Sequence, residues 1–91
     1  MPGGYTVKPN WHSTEEHVTV LEGSLMMALS AKLDKSMAQT LMVGGYAVMP
    51  VKTNHFAIAG ETGATIQLSA MGPFDINYVN PADDPRKGGT R

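Results

Sequence analysis

The chain has 91 residues, a formal net charge of -1 and no cysteine. A chain of this length forms one domain and buries only about 60–65% of the surface that its unfolded form exposes, so a compact core or a subunit interface must supply its stability. Without cysteine there is no disulfide, no thiolate nucleophile and no cysteine-bound zinc. Any bound metal must therefore be held by nitrogen and oxygen atoms.

Partners of two further classes are excluded by charge and hydropathy. The seven lysine and arginine residues are scattered along the chain and form no stripe that would neutralise phosphates, so we expect no nucleic-acid partner. No apolar run approaches the roughly 20 residues that span a bilayer, and residues 1–4 show no signal segment. We expect a cytoplasmic protein that does not bind membranes.

Glycine and proline divide the chain into short segments rich in β-branched and aromatic residues, a pattern typical of strands joined by turns. The predicted strands are residues 16–21, 25–33, 46–49, 55–59, 64–71 and 74–79. Turns are predicted at Gly23-Ser24, which would make the first two strands a hairpin, and at residues 60–63. Residues 34–40 are predicted to form a single helical turn with Asp34 as its N-cap. The predicted fold class is all-β.

Three side chains that commonly bind metals are candidates for the functional site. Strand alternation places Glu16 on the face of Val18 and Val20, inside the sheet, where a carboxylate needs a partner. His12 precedes this strand and His55 opens another. If the two strands are neighbours, two imidazoles and one carboxylate converge, which is the ligand set of catalytic zinc and non-haem iron(II) sites. The alternative is a metal-free cluster of hydrogen-bonded polar side chains.

The spacing around these residues matches a known motif. Asn10-Trp11-His12, three residues, Glu16, six residues and then Gly23 have the spacing of the first cupin motif, in which a histidine stands at the position of Asn10.

A second match lies further along the chain. Gly44, five residues, Pro50-Val51-Lys52, two residues and His55 have the spacing of the second cupin motif, which has glycine at the position of Lys52 and asparagine at that of Ala59. Residues 72–87 are also similar to the end of a group of small bacterial cupins of unassigned function. The chain therefore resembles the cupin family over most of its length.

This resemblance implies a double-stranded β-helix, a jelly-roll barrel with a divalent metal in its mouth. His12, Glu16 and His55 fall on ligand positions of the family, and Asn10 falls on a fourth, where its amide oxygen is a weak ligand. Iron, manganese, nickel and zinc suit these donors. The implied functions are a metal-dependent enzyme acting on a small organic molecule, such as a dioxygenase or isomerase, a non-enzymatic binder of a small ligand, and an oligomeric structural protein without a functional metal.

Four further residues are assigned by the same reasoning. Gln67 lies on the polar face of its strand and either lines the cavity near the metal or faces solvent. Trp11 is a candidate floor for a ligand pocket, with packing against the core as the alternative, and Tyr78 is a candidate lid or core residue near the barrel mouth. His17 alternates to the face opposite Glu16, so we expect it at the surface or in an interface.

The position of the first motif leads to an expectation about assembly. Cupins of this group carry strands before that motif, whereas here it begins at Asn10. Missing strands leave open sheet edges, so we expect a homo-oligomer, a dimer or higher, formed either by dimerisation of the open edges or by strand exchange. Residues 1–85 are assigned to the cupin domain and residues 86–91 to a flexible tail.

Overall fold

The structure, a computed structural model, describes residues 1–72 and 75–84. Within these residues the protein is all-β, as predicted, with one six-stranded antiparallel sheet and two single turns of 3₁₀ helix. No helix in this part of the chain has the length and hydropathy needed to cross a bilayer. The strands are β1 (Thr6–Trp11), β2 (Glu16–Ala28), β3 (Gln39–Leu41), β4 (Tyr46–Met49), β5 (His55–Ala70) and β6 (Asn77–Tyr78).

Two long strands organise the sheet. β2 and β5 pair with each other along their lengths, from Glu16 opposite Ala70 to Ala28 opposite Phe56. The other edge of β2 is shared by β4, which pairs with its first half, and β3, which pairs with its second half. β1 pairs with the first half of β5 and with β6. This pairing places the end of β1 beside the start of β5, and the start of β2 beside the end of β5.

The two turns predicted at glycines are wrong, because each glycine lies inside a continuous strand. Gly23 and Gly63 have φ values of 75° and 90°, and Gly23 pairs with Ala64 across the β2–β5 ladder. A Cβ atom on Gly23 would lie 2.0 Å from the carbonyl oxygen of Gly63. The glycines therefore permit a close approach of two bent backbones. A tight turn and a β-bulge need the same left-handed conformation, so glycine at these positions is compatible with either.

Other predicted elements have mixed outcomes. The strand at residues 46–49 is confirmed as β4, and the helical turn is confirmed as a 3₁₀ turn at Lys35–Met37. Its N-cap is Asp34, whose carboxylate accepts a hydrogen bond of 3.0 Å from the Ser36 N–H. β1 and β3 are not predicted. The predicted strand 74–79 begins outside the described residues, and of its described part, residues 75–79, Asn77–Tyr78 form a strand. The predicted tail, residues 86–91, lies outside the described residues.

The hydrophobic core lies between the two halves of the long strands. On β2, Val18 and Val20 are buried before the bend, and Leu25 and Met27 are buried after it. The inward face changes from even to odd positions because the β2–β5 register shifts on both sides of Gly23. The buried apolar cluster is formed by Val18, Val20, Leu25, Met27, Met49, Ala57, Ala59 and Ala64.

Candidate metal centre

The three predicted ligand residues meet at one end of this core. His12 follows β1, Glu16 begins β2 and His55 begins β5, and all three are buried. The Nε2 atoms of His12 and His55 lie 3.6 Å and 3.7 Å from the same oxygen, Oε1 of Glu16. One ligand atom from each residue lies within 4.8 Å of the others. The buried group of His12, Glu16 and His55 could therefore hold a metal ion.

Hydrogen bonds orient both imidazoles toward this point. Nδ1 of His12 is 2.7 Å from the backbone carbonyl oxygen of Asp75, and Nδ1 of His55 is 3.1 Å from that of Thr53. A carbonyl oxygen can only accept, so each Nδ1 carries the proton and donates it. In the neutral rings, Nε2 then presents its lone pair to the Glu16 carboxylate. Two lone pairs and an anion facing one another favour a positive charge at this point, either a proton on one ring or a metal ion, and an outer carbonyl that fixes the tautomer is typical of metal-binding histidines.

The two histidines respond differently to this environment. Burial lowers the pKa of His12, but the hydrogen bonds to Glu16 and Asp75 and the charges of the two carboxylates outweigh it, so the net pKa is raised. At His55 burial lowers the pKa most strongly, and the neighbouring His12 lowers it further. The Thr53 carbonyl and Glu16 oppose this change, but the net pKa of His55 is lowered.

Asn10, the predicted fourth ligand, lines the same cavity as the three other residues. Its side chain is fully buried, and it lies opposite His55 in the β1–β5 ladder. The amide nitrogen donates a hydrogen bond of 2.7 Å to the carbonyl oxygen of Lys8, while Oδ1 is buried with no hydrogen-bond partner among the described residues. A buried amide oxygen without a partner costs about 1–3 kcal/mol, and coordination to a cation would remove that cost.

The separations also fit a single ion. Nitrogen and oxygen ligands bind zinc at about 2.0–2.2 Å, which places neighbouring ligand atoms about 3–3.5 Å apart. The two distances from Glu16 are only slightly longer. A small inward movement of the side chains would complete the coordination, so the residues present fit a divalent metal.

A cavity of about 160 Å³, here called the inner cavity, adjoins the four polar side chains. Asn10, His12, Glu16 and His55 form part of its wall, and the other nine lining residues are apolar. The polar atoms are thus confined to one group in an otherwise hydrophobic chamber. An apolar wall lowers the local dielectric constant and so strengthens the attraction between the donors and a cation.

The other predicted ligand-binding residues lie apart from this cavity. Gln67 lines an exposed polar pocket with His17 and Tyr46. Trp11 is half-buried on β1, and its carbonyl oxygen accepts a hydrogen bond of 3.4 Å from Asn77. Tyr78 is half-buried on β6, opposite Asn10. None of the three is among the described residues that line the inner cavity.

The predicted orientation of His17 is confirmed. Its Nε2 donates a hydrogen bond of 2.8 Å to Glu15, and Nδ1 contacts the hydroxyl of Tyr46. The side chains of His17 and Glu15 are 36% and 53% exposed. His17 therefore lies on the outer face of β2, turned away from Glu16.

A positioning contact was missed by sequence reasoning. Asp75, far along the chain, accepts hydrogen bonds of 2.7 Å and 2.6 Å from the backbone N–H and the hydroxyl of Ser13. These bonds lower the pKa of the Asp75 carboxyl, the side-chain bond most strongly. The stabilising contribution is present above the unfolded pKa and is lost as the pH falls through the lower folded value. The two hydrogen bonds from Ser13 to the Asp75 carboxylate, which hold the Asp75 carbonyl near His12, therefore persist at neutral pH.

We expect Asp75→Ala to weaken metal binding without removing a ligand. The loop would lose its contacts with Ser13 and orient His12 less well, so affinity for Zn²⁺ should fall by about 10-fold, as for other losses of outer contacts. Isothermal titration with Zn²⁺ measures this change. Asp83→Ala is the control, since Asp83 pairs only at the surface with Lys8, at 3.7 Å. Equal affinities for the two variants would contradict the positioning role.

Comparison with known proteins adds no relative. No family model and no curated protein matches this sequence. The functional conclusion therefore depends on the geometry of the site and on the motif spacing.

Proposed function

We propose that this protein is a small jelly-roll protein of the cupin type that binds a divalent metal ion through His12, Glu16 and His55 and uses it to bind or transform a small organic molecule. Asn10 is the fourth, weaker ligand. The observation that carries the proposal is the convergence of two oriented imidazole lone pairs and one carboxylate at a single buried point. Iron, manganese, nickel or zinc, when bound, would supply Lewis-acid chemistry at the remaining coordination positions, and iron or manganese also redox chemistry.

The turn between β4 and β5 supports the cupin type. Lys52 stands where the second motif has glycine, and its φ is 55°, in the left-handed region that favours glycine. The Lys52 N–H donates a hydrogen bond of 2.8 Å to the carbonyl oxygen of His12. This strained turn therefore ties the segment that carries His12 to the segment that carries His55, which is the arrangement that the two motifs imply.

Each residue of the proposed site has a separate task. His12 and His55 provide neutral nitrogen ligands whose tautomers are set by the carbonyls of Asp75 and Thr53. Glu16 supplies the negative charge that favours a cation over a neutral guest. The apolar wall of the inner cavity excludes water and receives the organic part of the ligand.

We also propose that copies of the chain associate. The second half of β5 pairs with β2 on one side, and on its other edge Met1 hydrogen-bonds to the Ala64 backbone, while in the described part of the chain no strand pairs with the rest of that edge. Leu68, on this half of β5, lines the inner cavity yet is 53% exposed. A strand from a second copy would cover the edge and close the cavity wall. Size-exclusion chromatography with light scattering tests this, and a stable monomer at micromolar concentration would refute it.

The metal content of protein purified without a histidine tag tests the main proposal. We expect near-stoichiometric divalent metal in the native protein and a loss of most of it in His12→Ala and His55→Ala. His17→Ala is the matched control, because His17 lies on the opposite face of β2 and should not affect the metal. Substoichiometric metal that neither ligand substitution changes would overturn the proposal. Oxygen uptake with phenolic and diketone compounds then separates an oxygenase from a binding protein.

A further inference from the structure

The polarity of the inner cavity restricts what can bind beside the metal. Its polar side chains, Asn10, His12, Glu16 and His55, are the four assigned to the ion, and the rest of the described wall is apolar. A ligand that carries polar groups away from the metal would leave them buried without partners, at about 1–3 kcal/mol each. The wall therefore selects a ligand whose polar atoms are confined to the end that meets the metal.

A second cavity extends this apolar space. It has a volume of about 320 Å³, lies between β2, β3 and β4, and is here called the outer cavity. All of its lining residues except Gln39 are apolar, and Leu29 and Met37 on its wall are more than half exposed, so it opens to solvent. The inner cavity alone is smaller than the roughly 300 Å³ of common ligand pockets, whereas the outer cavity reaches that size.

Met27 belongs to the walls of both cavities. It is almost fully buried, at 8% exposure, and lies on β2 beyond the bend at Gly23. Methionine has a long unbranched side chain that changes rotamer at little cost, so it suits a boundary that opens and closes. Met27 is the one described lining residue that the two cavities share.

We infer that the ligand of this site is an amphiphile, with a metal-chelating oxygen head group at His12, Glu16 and His55 and an unbranched apolar chain that passes Met27 into the outer cavity. This inference rests on the proposed metal site. The head group completes the coordination of the metal, and the alkyl chain covers the apolar wall of the outer cavity, which otherwise faces water. Met27 sets the length of chain that the site accepts.

Alkyl hydroxamates test the inference, since their oxygen pair binds divalent metals and their chain length can be varied. Zinc-loaded protein is titrated with acetohydroxamate, butanohydroxamate and octanohydroxamate. We expect the affinity to rise by about threefold to fourfold for each methylene that is buried. Met27→Trp and Gln39→Trp, which narrow the passage and the outer cavity, should remove this gain, and Gln39→Trp should leave acetohydroxamate binding unchanged because Gln39 does not line the inner cavity. Met42→Trp is the matched control, because Met42 is 63% exposed and lines neither cavity.

Titration of each variant with Zn²⁺ alone separates the possible failures. Gln39 is exposed on the edge strand β3, so Gln39→Trp tests whether the chain enters the outer cavity even if Met27→Trp disturbs the core. A native protein that binds Zn²⁺ but shows equal affinity for all three hydroxamates overturns the amphiphile and leaves the metal site standing. A gain that survives in both cavity variants also overturns it. A native protein that binds no divalent metal overturns the metal site and the amphiphile together.

Discussion

Glu16→Gln is expected to abolish metal binding while leaving the metal-free protein at least as stable as the native chain. The Glu16 side chain is only 8% exposed and lies between two imidazoles. Removing a buried charge removes its desolvation cost, and the glutamine amide can still donate to a neutral Nε2 atom. Loss of a contact outside the ligand set reduces metal affinity by about 10–100-fold, and loss of the anionic ligand should reduce affinity for Zn²⁺ by more than that.

This substitution discriminates between the two interpretations of the cluster. If Glu16 and the histidines form a structural network without a metal, breaking it should cost about 3–5 kcal/mol of unfolding free energy. Urea denaturation in the presence of a chelator measures that quantity, and Zn²⁺ titration measures the affinity. Glu15→Gln is the control, because Glu15 is exposed and contacts His17 on the outer face. A large loss of stability with an unchanged metal content would refute the metal site.

Gly23→Ala is expected to have the largest effect on folding. The new Cβ atom would lie 2.0 Å from the carbonyl oxygen of Gly63, and the backbone at Gly23 has a φ of 75°. β2 and β5 would have to separate at the bend, which breaks ladder hydrogen bonds on both sides. We expect a loss of about 3 kcal/mol or more in the free energy of unfolding, measured by urea denaturation.

Gly44→Ala provides the matched comparison. Gly44 has a φ of 86°, but a Cβ atom there meets nothing within 4 Å. The substitution therefore reports the conformational cost alone, about 1–2 kcal/mol. The difference between the two variants isolates the close approach of the strands. Equal losses would show that Gly23 is required for its conformation only.

The candidate ligand residues could be predicted from the sequence because the patterns that indicate them extend over short segments of the chain. Glu16, Val18 and Val20 alternate within a few residues, and the spacing of the motifs depends only on chain length between positions. The hairpins predicted at the glycines failed for a related reason. A positive φ is needed in a tight turn and also in a bulge within a long strand, and the sequence around Gly23 does not distinguish the two.

Features that depend on register or on distant segments could not be predicted in this way. The assignment of Gln67 to the outer face follows from its position opposite Thr19 in the β2–β5 ladder. The carbonyl of Asp75 reaches His12 across 63 residues of sequence, and no pattern near either residue indicates that contact. Met27 lines both cavities because the buried positions of β2 change from even to odd numbers after Gly23.

The amino-acid sequence by itself therefore determined that the protein is an all-β domain without thiol chemistry, with a nitrogen-and-oxygen donor set at His12, Glu16 and His55. Composition and alternation are short-range properties, and they suffice for these conclusions. Only the tertiary structure decided which nitrogen of each imidazole faces the carboxylate, that the Asn10 oxygen has no hydrogen-bond partner among residues 1–72 and 75–84, and that an apolar space adjoins the donors. These depend on how β1, β2 and β5 approach one another, because hydrogen bonds and cavities arise between segments that are distant in the chain.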